Sequence, residues 1–526
     1  MKKFHFFIIT SLCSLLIGSL NFFYQKESSH VIAVAAEKKI TPIVNINPTV
    51  SQVNCDNSCG YTTLAQEIVI DKLSIKGKVP TWLKGSLFRN GPAQFELGKF
   101  KFKHWFDGFA MIHRFTFENG SVSYANKFLD SNYRKKAYIE GKLPDSITGQ
   151  AKPKSFFSKF SSLFAKPPIY DNTNINITLI GNQLAALTET PFALTFNPIT
   201  LETTGPLSYK DKLDGHICTA HPHIDSNSGE LFNILTQFGN TSNYQLYKIS
   251  KNNTKRILIA SLPTKYPSYI HSFAITEQFI ILPIIPFVVN PFDLLFSNKP
   301  FLHNFKWEPK HGTKFIVLNK ADGSLVGKYK TDAFFTFHQV NAYEKNNTII
   351  MDLIAYNDSN VIANMSLEKL KSCSSHKSGL LKRYTIDLKQ KTIIKNDISD
   401  ICLESPSINY EYYNGKPYSC MYAVTADNTQ LLKINVDSGD TLKWSAVNCF
   451  PGEPIFVSNP KKPTEDDGVI LSVVLDGQKK QSFLLMLDAS NFKELGRAAL
   501  PHHIPFGFHG NFYQFEQLKN LRQITT

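Results

Sequence analysis

From Ile68 onward the chain alternates short apolar runs with turn residues. Phe115-Thr116-Phe117 leads through Glu118-Asn119-Gly120 into Val122 and Tyr124. An Asn-Gly pair between alternating segments is the strongest local hairpin signal, because both residues tolerate the positive φ that a two-residue turn needs. The arrangement recurs. Ala321-Asp322-Gly323 stands between apolar residues 315–317 and Leu325-Val326, and Asn414-Gly415 between Tyr412 and Tyr418. Asp437-Ser438-Gly439 and Asp476-Gly477 follow, and residues 469–475 and 483–487 are apolar runs of strand length. Long helical periods are scarce. Many short strands over several hundred residues predict an all-β chain, built as stacked sandwiches or as a propeller. No crisp repeat chooses between the two.

Two segments depart from this pattern. Between residues 152 and 167, Phe156, Phe157, Phe160, Leu163 and Phe164 recur at helical spacing, with Lys154, Lys159 and Lys166 around them. That predicts a short basic amphipathic helix. It suits a membrane interface, or an ordinary helix with its Phe face in the core. Residues 280–296 are very apolar but contain Pro283, Pro286 and Pro291, which break any helix long enough to cross a bilayer. They read as a buried strand and loop, or as an apolar surface patch.

The start of the chain has its own logic. Met1-Lys2-Lys3 precedes an apolar run over residues 6–23, and Ala33-Val34-Ala35 offers a small-x-small cleavage site. Residues 1–36 are therefore expected to be a signal peptide or an N-terminal membrane anchor, so the protein is exported or membrane-associated. Residues 37–66 read as a linker and residues 67–526 as one large domain. Length alone would allow several domains, but closed all-β architectures often run long as one.

Composition adjusts the picture only slightly. Aromatic residues make up 13%, with 41 Phe, which suits pleated, half-buried surfaces. A net charge of +14 fits nucleic acid or an anionic membrane surface. The lysines are spread out and no dense Arg-rich stripe occurs, so nucleic acid is not an expected partner. Cys55 and Cys59 could close a small loop in an oxidising compartment. Their C-x3-C spacing has no second pair nearby, which argues against a zinc knuckle.

There are 15 histidines and no H-E-x-x-H pair, so any histidine site must be assembled from distant segments. Four stand in or beside β-type runs. His221 lies in Thr219-Ala220-His221-Pro222-His223, His271 in Tyr269-Ile270-His271-Ser272-Phe273, His338 in Phe335-Thr336-Phe337-His338-Gln339, and His509 in Phe506-Gly507-Phe508-His509-Gly510. Taken singly, each is more often a hydrogen-bonded structural histidine than a ligand.

Longer motifs carry more. Gly85-Ser86-Leu87-Phe88-Arg89-Asn90-Gly91-Pro92 is followed by His104-Trp105-Phe106-Asp107-Gly108-Phe109-Ala110-Met111-Ile112-His113. Then come residues 219–223 and 340–344, Glu453-Pro454-Ile455-Phe456-Val457, Asp466-Asp467-Gly468 and Phe508-His509-Gly510. This ordered series resembles the carotenoid cleavage oxygenase family. The nearest branch holds the animal β-carotene oxygenases and the retinoid isomerohydrolase of the retinal pigment epithelium. The likeness runs from Trp82 to Gly510.

The resemblance implies a seven-bladed β-propeller with a helical or loop cap over the metal face. It implies that His221, His271, His338 and His509 hold Fe(2+), a suitable ion for neutral imidazoles that leave sites open for O2. Glu189, Glu404 and Glu453 would accept from the outer N–H groups of these ligands, fixing their tautomers. His104, His113 and His223 fall at non-ligand places. The implied partner is a hydrophobic polyene entering from a membrane surface, along a tunnel whose wall includes Phe106, Ile175, Tyr269 and Phe337. The implied activity is a dioxygenase cleaving one C=C bond of a carotenoid or apocarotenoid to carbonyl products, with no catalytic acid or base.

This sequence also departs from the family. Ser272 replaces the Asp that many members carry after the second ligand. Ile175 stands where many cleaving members carry Thr, which narrows and dries the site and leaves isomerisation open beside cleavage. Three alternatives follow. Stilbene-type phenolic cleavage would use Tyr133 with Lys135 or Lys136. A retinoid isomerohydrolase and a non-enzymatic pigment-binding propeller are the others.

Overall fold

The computed structural model describes residues 57–149, 170–372, 379–461 and 464–522. All belong to one compact unit, Asn45–Thr526. The apolar run at residues 6–23, Cys55 and the Phe-rich segment 152–167 lie outside the described residues.

Antiparallel strands dominate. The expected hairpin at Asn119-Gly120 forms between Phe109–Glu118 and Ser121–Phe128, with Glu118 opposite Ser121 and both turn residues at positive φ. Asp322-Gly323 turns Thr313–Asn319 into Leu325–Thr331. Ser438-Gly439 turns Leu431–Asn435 into Thr441–Trp444. Gly468–Asp476 and Gln481–Asp488 pair across the Gly477 turn. Asn414-Gly415 behaves differently. It ends the helical turn Tyr410–Tyr413, and the Gly415 N–H is captured by the Asn341 side chain at 2.9 Å. A long-range amide bond outweighs the local hairpin preference there.

Six sheets of four or more strands form among the described residues. The first closes the chain on itself, because Gly85–Gln94 pairs on one side with Phe109–Glu118 and on the other with Gly510–Gln514. The next three take up residues 176–331 in chain order. A seven-stranded sheet follows. Its 16-residue strand Thr392–Ser407 pairs with Leu380–Asp387 along one stretch and with Cys420–Thr425 along another. In the last large sheet, Ser74–Gly77 joins Glu494–Ala499, so early and late segments meet a second time.

The apolar stretch near residue 280 satisfies both of its readings. Phe279–Ile284 is a largely buried strand paired with Thr313–Asn319. The short helix Pro291–Phe296 then exposes Phe292 and Phe296. No helix among the described residues is long and apolar enough to cross a membrane. Packing begins inside the stretch read as linker. Tyr61 and Leu64 are buried, and the Leu64 N–H donates to the Ala93 carbonyl.

Candidate metal centre

Each of the four histidines stands just before a strand at a sheet edge, on four different sheets. His221 precedes His223–Ile224, His271 precedes Ala274–Ile275, His338 precedes Gln339–Lys345, and His509 precedes Gly510–Gln514. Strand ends are fixed by the ladder yet free of it, so their side chains can converge. These do: one ring nitrogen from each lies within 4.8 Å of the others. The Nε2 atoms of His271 and His338 are 3.3 Å apart, and those of His338 and His509 3.2 Å.

Three glutamates set the tautomers. His271 Nδ1 donates to Glu189 at 2.6 Å, His338 Nδ1 to Glu404 at 2.6 Å, and His509 Nδ1 to Glu453 at 2.7 Å. With the proton on Nδ1, each Nε2 turns a lone pair inward. Lone pairs at 3.2–3.3 Å repel, and His221 Nε2 is buried with no hydrogen-bond partner among the described residues. A single cation held by these four histidines would satisfy all four nitrogens at once. The donor set therefore fits one divalent ion with nitrogen ligands.

Burial governs the charge states. It pushes His221 well down, helped by the other three imidazoles, and it outweighs Glu189 at His271 and Glu453 at His509. Burial also opposes a charge on His338, but Glu404, with Glu453 and Glu189 behind it, raises that imidazole. At Glu404, burial is outweighed by His338, the Ser405 N–H and the Tyr356 hydroxyl, which hold the carboxyl down at about 2. At Glu453, Arg89 and His509 likewise outweigh burial and keep the carboxyl low.

A mostly apolar cavity adjoins three of the imidazoles, those of His271, His338 and His509. Trp105, Phe106, Ile175, Tyr269, Phe337 and Phe508 line it. All four side chains expected in the tunnel wall are thus beside the centre. Tyr269 does more than line, since its hydroxyl donates to Glu189 at 2.6 Å. The Ile175 carbonyl accepts the His509 N–H at 3.0 Å, tying the wall to a ligand. Irregular segments flank the cavity: Met365 and Ile147 line it, and Ile147 is bonded to Leu302 of the turn Phe301–Asn304.

The remaining motif histidines lie outside the cluster. His223 bonds the Tyr410 hydroxyl and the Phe273 carbonyl, His104 the Ile362 carbonyl, and His113 the Tyr124 hydroxyl. Sequence reasoning gave no role to Tyr356, whose hydroxyl donates to Glu404 at 2.7 Å, or to Arg89, which donates to Glu453. Only Arg89 lay within a quoted motif. Tyr356 reaches its place through a bridge to Phe335, which no local pattern announces.

The family model for retinal pigment epithelial membrane protein matches residues 61–514. The carotenoid isomerooxygenase of Galleria mellonella is 30% identical over 503 residues, covering 87% of this chain and 97% of the relative. The beta,beta-carotene 15,15'-dioxygenase of Gallus gallus is 33% identical, covering 84% and 95%. A variant of Synechocystis apocarotenoid oxygenase superposes with a TM-score of 0.77 at 27% identity, covering 87% of this chain and 98% of that one. With the family model matched along most of its length and relatives aligned over nearly their whole sequences, the chain belongs to the retinal pigment epithelial membrane protein family, the carotenoid cleavage oxygenases.

Proposed function

We propose that the chain is an iron(II)-dependent dioxygenase that cleaves one C=C bond of a carotenoid or apocarotenoid, giving two carbonyl products. One observation carries this reading: four imidazole nitrogens converge beside an apolar cavity rich in aromatic side chains. Iron, when bound, supplies the activation of dioxygen. His221, His271, His338 and His509 would hold it, and Glu189, Glu404 and Glu453 would orient three of them. Each carboxylate accepts an imidazole N–H, and the proposed cleavage calls on no general base. Phe106, Phe337, Trp105 and Phe508 present apolar faces suited to a polyene and keep water from the reacting bond. Ile175 presses on the same space and helps select which double bond lies over the centre.

The architecture is read as a seven-bladed propeller. Taking the seven-stranded sheet as two halves gives seven antiparallel units. Each supplies one residue, four a histidine and three a glutamate, as expected for units ranged about a common axis. The irregular segments beside Met365 and Ile147 act as the cap. Residues 1–36 are read as an export signal or anchor, and exposed Phe292 and Phe296 as part of a membrane-facing surface.

The phenolic alternative is less well supported. Lys135 and Lys136 are exposed and paired with Asp130 and Glu140, and Tyr133 donates to the Asp145 carbonyl.

The test is anaerobic reconstitution with Fe(II), followed by 18O2 and a panel of carotenoids, apocarotenals, a stilbene and a retinyl ester. Paired aldehydes carrying label are the expected products. Cleavage of the stilbene alone, isomerisation of the ester without cleavage, or failure to bind iron would each overturn the reading.

A further inference from the structure

The three glutamates differ in what stands behind them. Glu189 meets the Tyr269 hydroxyl, and Glu404 meets the Tyr356 hydroxyl and the Ser405 N–H. These donors are neutral. Glu453 meets a cation, the guanidinium of Arg89. The other arm of that guanidinium donates at 2.8 Å to the carbonyl of Phe508, the residue before His509. Arg89 is 6% exposed and sits opposite Gly510 in the ladder that closes the chain. A Cβ at Gly510 would lie 2.9 Å from Arg89 Cδ, so the backbone leaving the ligand rests directly on this side chain.

Counting formal charges gives the arginine a purpose. A divalent ion with neutral imidazoles and three carboxylates leaves one excess negative charge, and one guanidinium cancels it. At this burial, salt screens the interaction little, and its strength far exceeds that of a surface pair.

We propose that Arg89 balances the charge of the metal centre and positions His509, and that it thereby holds the bound ion in its ferrous state. The inference rests on the iron reading above. Oxidation removes one electron and raises the charge at the centre by one, a change that negative surroundings favour. With Arg89 in place the ferrous centre is neutral and the ferric one carries an unbalanced buried charge. Without it the order reverses, so the reduction potential falls. Arg89 does not line the cavity and acts through Glu453 and the backbone before His509, so it is a positioning residue.

The experiment compares full-length wild type with Arg89→Gln, Arg89→Lys, Glu453→Gln and Arg256→Gln, each loaded anaerobically with Fe(II). Arg256 and Asp211 form a comparably buried ion pair, with side chains 7% and 9% exposed, away from the centre. Arg256→Gln therefore controls for the loss of such a pair. Ferricyanide removes one electron per iron, and the high-spin ferric signal is read by electron paramagnetic resonance. At the potential where wild type is half oxidised, Arg89→Gln is expected to raise the ferric-to-ferrous ratio roughly tenfold or more. Arg89→Lys should restore most of the wild-type ratio, and Arg256→Gln should match wild type. Glu453→Gln removes the opposite charge and should shift the ratio the other way, which keeps the test open if Arg89→Gln does not fold. An unchanged ratio in Arg89→Gln, or the same direction of shift in Glu453→Gln, overturns the proposal. A wild type that takes up no iron overturns the iron reading first, and this one with it.

Discussion

Ser405 turns its backbone N–H onto the carboxylate of Glu404 at 2.6 Å, and it does so in the left-handed region, at a φ of 53°. The same carboxylate oxygen accepts from His338. A non-glycine residue in this conformation costs on the order of 1–3 kcal/mol, and a β-branched one more. Ser405→Gly is expected to hold stability within about 1 kcal/mol of wild type and to retain metal. Ser405→Val is expected to lower both. Thermal melts and metal analysis of the two variants check this.

Metal retention should rank the site residues. His338 lies 3.3 and 3.2 Å from two other ligand nitrogens, so His338→Ala opens the centre on two sides and should abolish stable binding. Glu404→Gln keeps the shape and an acceptor but loses the charge. It is expected to weaken metal affinity by roughly 10–100-fold, the usual cost of losing a ligand's outer partner. Competition with a chelator, using Co(II) as probe, gives both values.

Asp107 gives a pH signature remote from the ligands. It is fully buried, with Oδ1 accepting from the Thr148 hydroxyl. Burial pushes its carboxyl up from 3.8 to about 6, against hydrogen bonds from Thr148 and Ser146. A raised folded value means the fold prefers the neutral form. The stabilisation is complete below the unfolded value and is lost as pH rises through about 6. The loss is on the order of 3 kcal/mol. Asp107→Asn, neutral throughout, should flatten the fall in stability between those two values. Denaturant melts at successive pH values would show it, and a parallel slope in the variant would refute it.

The cavity wall should separate turnover from metal binding. Phe337 lines the cavity and packs on His271 with ring centroids 5.0 Å apart, yet it donates nothing to the centre. Phe337→Ala is expected to keep full metal content while kcat/KM falls by about tenfold or more, the loss of a well-packed aromatic contact. Ile175→Ala, which widens the space beside His509, should change the ratio of cleavage products rather than the metal content. Product masses and metal analysis on the same samples decide both.

Local signals served where the chemistry is local. Asn119-Gly120 announced its hairpin because nothing distant competes for those two residues, whereas Asn414-Gly415 misled because Asn341 captures its N–H from another strand. The histidine cluster was legible only through the resemblance. Its members lie 67 and 171 residues apart, and each alone looks like any histidine beside a strand. Tyr356 and Arg89 left no signal of role: the pair Arg89–Glu453 spans 364 residues, and Arg89 lies on an early strand, Gly85–Gln94, that meets the last strand, Gly510–Gln514.

That meeting bears on how the protein is made. His221, His271 and His338 leave the ribosome well before His509, and Gly85–Gln94 waits longer still for Gly510–Gln514. Until that late strand docks, the nascent chain offers three imidazoles and an open side. The four-nitrogen set therefore exists only once the closing strand has docked, so closure of the fold and completion of the centre are one event.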